Sequence, residues 1–151
     1  MNESEPKIEQ HEKPILEMWV IEDDDTVRES ILGLLRFKAP GSRCVGFEKA
    51  EDALRELEQK VTKGKPTPAG IFVDGNLSKD APGFNQGPLI VTKIREAQQN
   101  SEQPFIVAIS GEMDLNNAMI QNGANFIVAK PPNIVLLNNA IEKIKEARPV
   151  E

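Results

Sequence analysis

The sequence predicts an α/β fold, an open five-stranded parallel sheet with helices on both faces, (βα)5 in chain order. Three observations carry that expectation. Short runs rich in Ile, Val and Phe alternate five times with segments whose apolar residues recur at helical spacing. Gly and Pro punctuate the joints, as in Pro40-Gly41, Gly64-Lys65-Pro66-Thr67-Pro68 and Pro131-Pro132. The central run, Ile71-Phe72-Val73, is apolar without alternation and stops at Asp74, the pattern of a parallel strand covered on both faces.

Residues 1–13 carry Glu3, Glu5, Lys7, Glu9 and Glu12, Pro6 and no aromatic residue, and bury too little apolar surface to offset the entropy of ordering. They read as a flexible tail ahead of a single domain over 14–151. Ile15 to Ile21 is the first expected strand and runs into Glu22-Asp23-Asp24-Asp25. Val27, Ile31, Leu34 and Leu35 share one helical face, and that helix, 27–39, stops at Pro40-Gly41. Ser42 to Phe47 is a short second strand carrying Cys44 as a small buried thiol. Glu51 to Thr62 is an amphipathic helix through Ala53, Leu54, Leu57 and Val61. After the central strand, Leu77 to Gln86 is a polar loop, long for a connection where about 2–6 residues is usual. Gly87-Pro88 opens the next helix, with Pro in the first turn where its missing N–H costs nothing. Gln103 to Ser110 is a fourth strand, its run Pro104 to Ile109 ending in Ser110; Met113 to Gln121 is helical and Gly123 ends it. Phe126 to Ala129 is a fifth strand ending in Lys130, and Ile134, Leu137, Ile141 and Ile144 stripe a last helix over 134–147.

With 151 residues, 39% of them hydrophobic, the chain suits one domain with a proper core. A net charge of −6 argues against broad attraction to a nucleic-acid backbone. One cysteine excludes an internal disulfide and a Cys-rich zinc site, which suits a reducing, cytoplasmic setting. No apolar run approaches the length of a membrane span, and no signal peptide opens the chain. The only histidine, His11, falls in the tail, which counts against a phosphohistidine carrier or a Ser-His-Asp hydrolase.

Right-handed crossovers bring the carboxyl ends of all five strands to one edge, where ligands of such sheets collect. Glu22 and Asp23, Asp74, Ser110 and Lys130 are expected to meet there. The bland alternatives are that Asp74 opens an Asp-Gly-Asn turn and that the acids after the first strand cap the following helix. Asp24 or Asp25 suits the cap. Four consecutive acids exceed what a cap requires, and a hard divalent cation relieves clustered carboxylates. Carboxylates with a cation, a lysine and a hydroxyl are the parts of a phosphoryl-transfer site in which an aspartate can itself accept the group. Neither a G-x-x-x-x-G-K-[ST] nor a G-x-G-x-x-G loop is present, so nucleotide binding has no support.

Over Ile15 to Ala147 the chain resembles the response-regulator receiver domains of two-component signalling, a flavodoxin-like doubly wound family. Val20-Ile21-Glu22-Asp23-Asp24 looks like the family's acidic pair, and Phe72-Val73-Asp74 like its phosphoacceptor strand. Ile109-Ser110-Gly111 looks like its Ser/Thr strand, and Val128-Ala129-Lys130-Pro131 like its Lys-Pro. The resemblance implies phosphorylation on Asp74 and Mg²⁺ held by Asp23, Asp74 and the backbone carbonyl of Asn76, with Glu22 acting through water. It implies that Lys130 pairs with the phosphoryl oxygens, across a Lys130-Pro131 bond that can be cis, and that Ser110 swings toward the group. The implied partners are a sensor histidine kinase or histidine phosphotransfer protein and an unidentified downstream protein; no nucleic acid, membrane or dimer is carried over. The implied protein is a stand-alone phosphoacceptor that assists its own chemistry rather than a conventional enzyme. Three departures stand out. Leu77-Ser78 replaces a Met-Pro at the head of a longer loop, Ile127 replaces an aromatic with Phe126 beside it facing the other way, and Ser110 to Lys130 is about two residues short. Two readings therefore stay open, an Mg²⁺-dependent response regulator and a phosphorylation-independent interaction module on the same fold. A dehalogenase-type phosphohydrolase needs Asp-x-Asp, and Asp74-Gly75-Asn76 lacks the second acid. Asn76 and Glu112, two positions after Asp74 and Ser110, are polar groups that could orient water, which points to a short-lived adduct.

Overall fold

The structure, a computed structural model, describes residues 15–76, 87–98 and 102–148. Its elements are β1 (Glu17–Ile21), α1 (Asp25–Lys38), β2 (Arg43–Phe47), α2 (Ala50–Thr62) and β3 (Gly70–Asp74). They continue with α3 (Gly87–Ala97), β4 (Phe105–Ser110), α4 (Met113–Gln121), β5 (Phe126–Ala129) and α5 (Ile134–Ala147). Every strand pair is parallel, in the order β2-β1-β3-β4-β5. The expected (βα)5 sheet is therefore the one that forms.

Local chemistry sets the boundaries. The first helix begins at Asp25 rather than Val27 because Asp24 is its N-cap, its carboxylate accepting from the Val27 N–H at 2.9 Å. Gly123, at φ 124°, closes the turn after α4, a conformation that a side chain resists. Asn133 caps α5 by accepting from the Val135 and Leu136 N–H groups. Cys44 is half-buried rather than buried because β2 is an edge strand, and its Sγ lies 3.3 Å from Ser42 Oγ. The tail and the long loop after Asn76 lie outside the described residues.

Strand alternation sorts the core into two layers. Met18, Val20, Phe72, Val107, Ile109 and Val128 pack with α1 and α5. Trp19, Ile21, Ile71, Val73, Ile106 and Ala108 pack with α2, α3 and α4. Both layers cross β3, and all five of its residues are buried, which is why its sequence does not alternate. Burying each large apolar side chain contributes about 1.5–3 kcal/mol. At the amino edge of the sheet, Arg95 donates to Gly123 O at 2.6 Å, Pro104 O at 2.9 Å and Asn125 Oδ1 at 2.8 Å. Arg148 donates to Thr67 O at 2.8 Å and Glu102 O at 3.1 Å. These guanidinium groups staple the connections that lead into β3, β4 and β5.

The strand order reverses between β1 and β3, so the connections leaving their carboxyl ends diverge and open a crevice. Gly87 pins the far wall: its N–H donates to Gly75 O at 2.9 Å. A Cβ there would lie 2.6 Å from Gly75 Cα and 2.8 Å from Asp74 O, both backbone atoms. Gly87→Ala is therefore expected to destabilise the protein by about 1–3 kcal/mol, the cost of overpacking. Gly33, exposed in α1 with nothing within 4 Å of its would-be Cβ, is the control. Gly33→Ala is expected to stabilise by about 0.5–1 kcal/mol through helix propensity. Urea unfolding midpoints of the two variants check both signs.

Candidate functional site

Each strand flanking the crevice delivers a side chain to it. Glu22 follows β1 and is 1% exposed; Asp74 closes β3 and is 3% exposed; Ser110 closes β4 and is also 3% exposed. Asp23 and Lys130 are half-buried. Carboxylate oxygens of Glu22, Asp23 and Asp74 lie within 4.8 Å of one another. Lys130 Nζ reaches across from the end of β5, 3.1 Å from Asp74 Oδ1 and 3.0 Å from Glu22 Oε1.

Backbone donors fix the carboxylates further. Asp74 Oδ1 accepts from the Asn76 N–H at 3.3 Å, and Glu22 Oε2 accepts from the Asp24 N–H at 3.1 Å. Ser110 Oγ accepts from the Glu112 N–H at 3.0 Å. The structure thus brings Glu22, Asp23, Asp74 and Lys130 into one cluster. Asn76 joins it through its N–H, and Ser110 stands at the same edge with its hydroxyl engaged by the next turn. The Lys130-Pro131 bond is cis.

One ammonium faces three carboxylates, and the charge balance shows in their protonation. Burial pushes the Asp74 carboxyl above its ordinary value, against the opposing pull of Lys130 and the Asn76 N–H. Burial and then the Asp74 carboxylate push Glu22 up; burial and then Glu22 push Asp23 up. Burial alone would lower the Lys130 ammonium, but Glu22 and Asp74 outweigh it and hold the group charged. The cluster therefore keeps an unmatched excess of negative charge.

Glu22 Oε1 is buried and meets the Lys130 ammonium at 3.0 Å, the same ammonium that serves Asp74. Hard carboxylate oxygens in mutual reach that share one ammonium fit a hard divalent cation such as Mg²⁺. Asp24 and Asp25 are spent otherwise, Asp24 on the α1 cap and Asp25 on Arg28.

Two contributors carried no sequence signal. Arg28, one turn into α1, donates from NH1 to the Glu22 carbonyl at 2.7 Å and so holds the loop that presents Glu22 and Asp23. Asn116, buried in α4, donates to the Ser110 carbonyl at 3.0 Å. An arginine or asparagine in an amphipathic helix looks like any solvated residue until the loop it grips is in place.

Solved receiver domains share this architecture. The CheY-like receiver domain from Methylobacillus flagellatus is 21% identical, with a TM-score of 0.68 over 87% of this chain and 99% of that one. The receiver domain of NtrX from Brucella abortus is 21% identical, with a TM-score of 0.68 over 85% of this chain and 98% of that one. The CheY-like receiver domain from Methanospirillum hungatei JF-1 is 17% identical, with a TM-score of 0.68 over 89% and 97%. No family model and no curated protein matches the chain. The chain has the response-regulator receiver fold; the likeness establishes architecture, and function has to be argued from the site. No helix among the described residues is long and apolar enough to cross a membrane.

The acid surplus makes a direct prediction. Mg²⁺ at about a hundredfold over its dissociation constant is expected to stabilise the folded chain by about 2.7 kcal/mol. Asp23→Asn is expected to raise the metal-free melting temperature, by removing one crowded charge, and to abolish most of the Mg²⁺-induced rise. Thermal melts of both proteins with Mg²⁺ and with chelator check the two signs.

Proposed function

We propose that this chain is a receiver domain, over 14–151, that accepts a phosphoryl group on Asp74 and signals through phosphorylation-dependent protein contacts. The observation that carries the reading is the Lys130 ammonium 3.1 Å from a buried Asp74 carboxylate within a cluster of two further acids. A carboxylate oxygen of Asp74 attacks the phosphorus of a phosphohistidine, on a histidine kinase or phosphotransfer protein, or of an acyl phosphate. The new O–P bond forms as the P–N or P–O bond to the donor breaks, and the donor leaves with the electron pair. Lys130 neutralises the charge that gathers on the phosphoryl oxygens, and the Ser110 hydroxyl donates to one of them. Glu22, Asp23, Asp74 and the Asn76 carbonyl would hold Mg²⁺. When bound, the cation supplies the positive charge that lets an anionic donor approach anionic Asp74.

The adduct adds about −1.5 to −2 charge to a site already in acid surplus. Partners that recognise Ser110 and its neighbouring turn can then distinguish the two states. Asn76 and Glu112 flank Asp74 and Ser110 and would orient the hydrolytic water, which makes the adduct short-lived.

Intact-mass spectrometry after incubation with Mg²⁺ and acetyl phosphate tests the reading. The native chain is expected to gain one phosphoryl group and Asp74→Asn none. Lys130→Ala is expected to slow adduct formation by about 10²-fold, the cost of losing one preorganised donor. A native chain that binds Mg²⁺ but takes no phosphoryl group from acetyl phosphate or from a phosphohistidine protein would be an interaction module on this fold. Glu112→Ala is expected to lengthen the adduct's lifetime severalfold, read as decay of the phosphorylated mass.

A further inference from the structure

The α4 helix is short, and one side chain ties it to the Ser110 carbonyl. It spans nine residues, its N-cap Glu112 makes no side-chain cap bond, and Asn116 and Met119 are its only buried residues. Asn116, 4% exposed, ties it to the sheet: Asn116 Nδ2 donates to the Ser110 carbonyl at 3.0 Å. That carbonyl also accepts from the Lys130 N–H at 3.2 Å. Ser110 therefore hangs between β5 on one side and α4 on the other.

The same turn leans on the backbone just after Asp74. A Cβ built on Gly75 would lie 2.9 Å from Ser110 Cβ and 3.2 Å from Leu115 Cβ. Ser110 and Leu115 of α4 thus pack against the same face of Gly75. The polar groups on this turn are also left incomplete: Asn116 Oδ1 is buried with no hydrogen-bond partner among the described residues, while the Glu112 N–H is satisfied by the Ser110 hydroxyl. If that hydroxyl turns to a group on Asp74, the Glu112 N–H loses its acceptor.

We infer that Asn116 is a positioning residue that couples Ser110 to α4, carrying the occupancy of Asp74 into the helix. The inference rests on the phosphoryl-acceptor reading of Asp74. Asn116 keeps its hold on the Ser110 carbonyl as Ser110 moves, and its free oxygen takes up the N–H that the hydroxyl releases. The first turn of α4 then re-forms around a complete set of hydrogen bonds. An apolar residue at 116 would neither pull the helix nor receive the N–H.

The test reads adduct and helix in the same samples. Native protein, Asn116→Leu and Asn116→Asp are incubated with Mg²⁺ and acetyl phosphate, intact mass reports the adduct, and amide hydrogen exchange reports residues 111–121. Leu removes both halves of the amide, whereas Asp keeps the shape but loses the N–H donor. In the native protein the adduct is expected to change exchange in this segment by about tenfold, the equivalent of one hydrogen bond gained or lost. Both variants are expected to take the adduct and to lose that difference. A residue of merely structural role would alter exchange equally with and without the adduct, so a difference that persists in the variants overturns the inference. It is equally overturned by a native adduct without a change in α4, or by folded variants that lose the adduct. If neither variant folds, the Asn116 side-chain amide resonance in the native protein decides: it moves on phosphorylation or the inference fails. A native chain that takes no adduct from acetyl phosphate or from a phosphohistidine protein overturns the phosphoryl-acceptor reading itself, an outcome the mass alone identifies.

Discussion

The Lys130 ammonium, 3.0 Å from Glu22 and 3.1 Å from Asp74, ties together side chains from the ends of β1, β3 and β5. Those strands are not sequential neighbours, so the contact exists only if the sheet closes in the order β2-β1-β3-β4-β5. Asp74 and Glu22 are too deeply buried to be left unpaired, because a desolvated carboxylate without a partner is costly. Burial opposes the charge on the ammonium in turn, and the two acids facing it more than offset that. Topology and charge thus hold each other in place, and the core layers on either side of β3 keep the water out that would otherwise weaken the contact.

Much of this was legible in the sequence because the signals were local. A buried parallel strand needs apolar residues on both faces, so Ile71-Phe72-Val73 announced its own environment, and the side chain that ended the run announced the edge. The spans of α4, β5 and α5 follow from periodicity and from Gly123 and Pro131-Pro132. Convergence of Glu22, Asp23, Asp74 and Lys130 then required only right-handed crossovers. Phe126 and Ile127 fell on opposite core layers, as adjacent residues of one strand must.

What escaped was non-local. Arg28 acts on the carbonyl of Glu22 and Asn116 on that of Ser110, so their partners are backbone atoms that every residue possesses and no pattern marks. Cys44 illustrates the same limit in reverse: a strand's place at the edge of the sheet is a property of the order of all five, and it left the thiol half-buried. Asp24 and Asp25 were read as candidates for one cap, and only the built loop divides them, Asp24 taking the N–H of Val27 and Asp25 the guanidinium of Arg28. Gly87 also depends on the finished fold, since its need for a bare Cα arises from Gly75 and Asp74 across the crevice.

The two edges of the sheet are built on opposite principles. At the amino edge, Arg95 and Arg148 spread their donors over the backbone carbonyls of Gly123, Pro104, Thr67 and Glu102, so positive charge is met by several fixed acceptors. At the carboxyl edge, three acids share one ammonium, and the neighbouring helix buries only two residues. An edge optimised for stability would have replaced one of those acids, since burial raises each pKa above its ordinary value and a neighbouring carboxylate adds to it for Glu22 and Asp23. Keeping all three costs stability in the metal-free chain and leaves a site that gains from any added cation. The amino edge supplies the rigidity against which that imbalance is held.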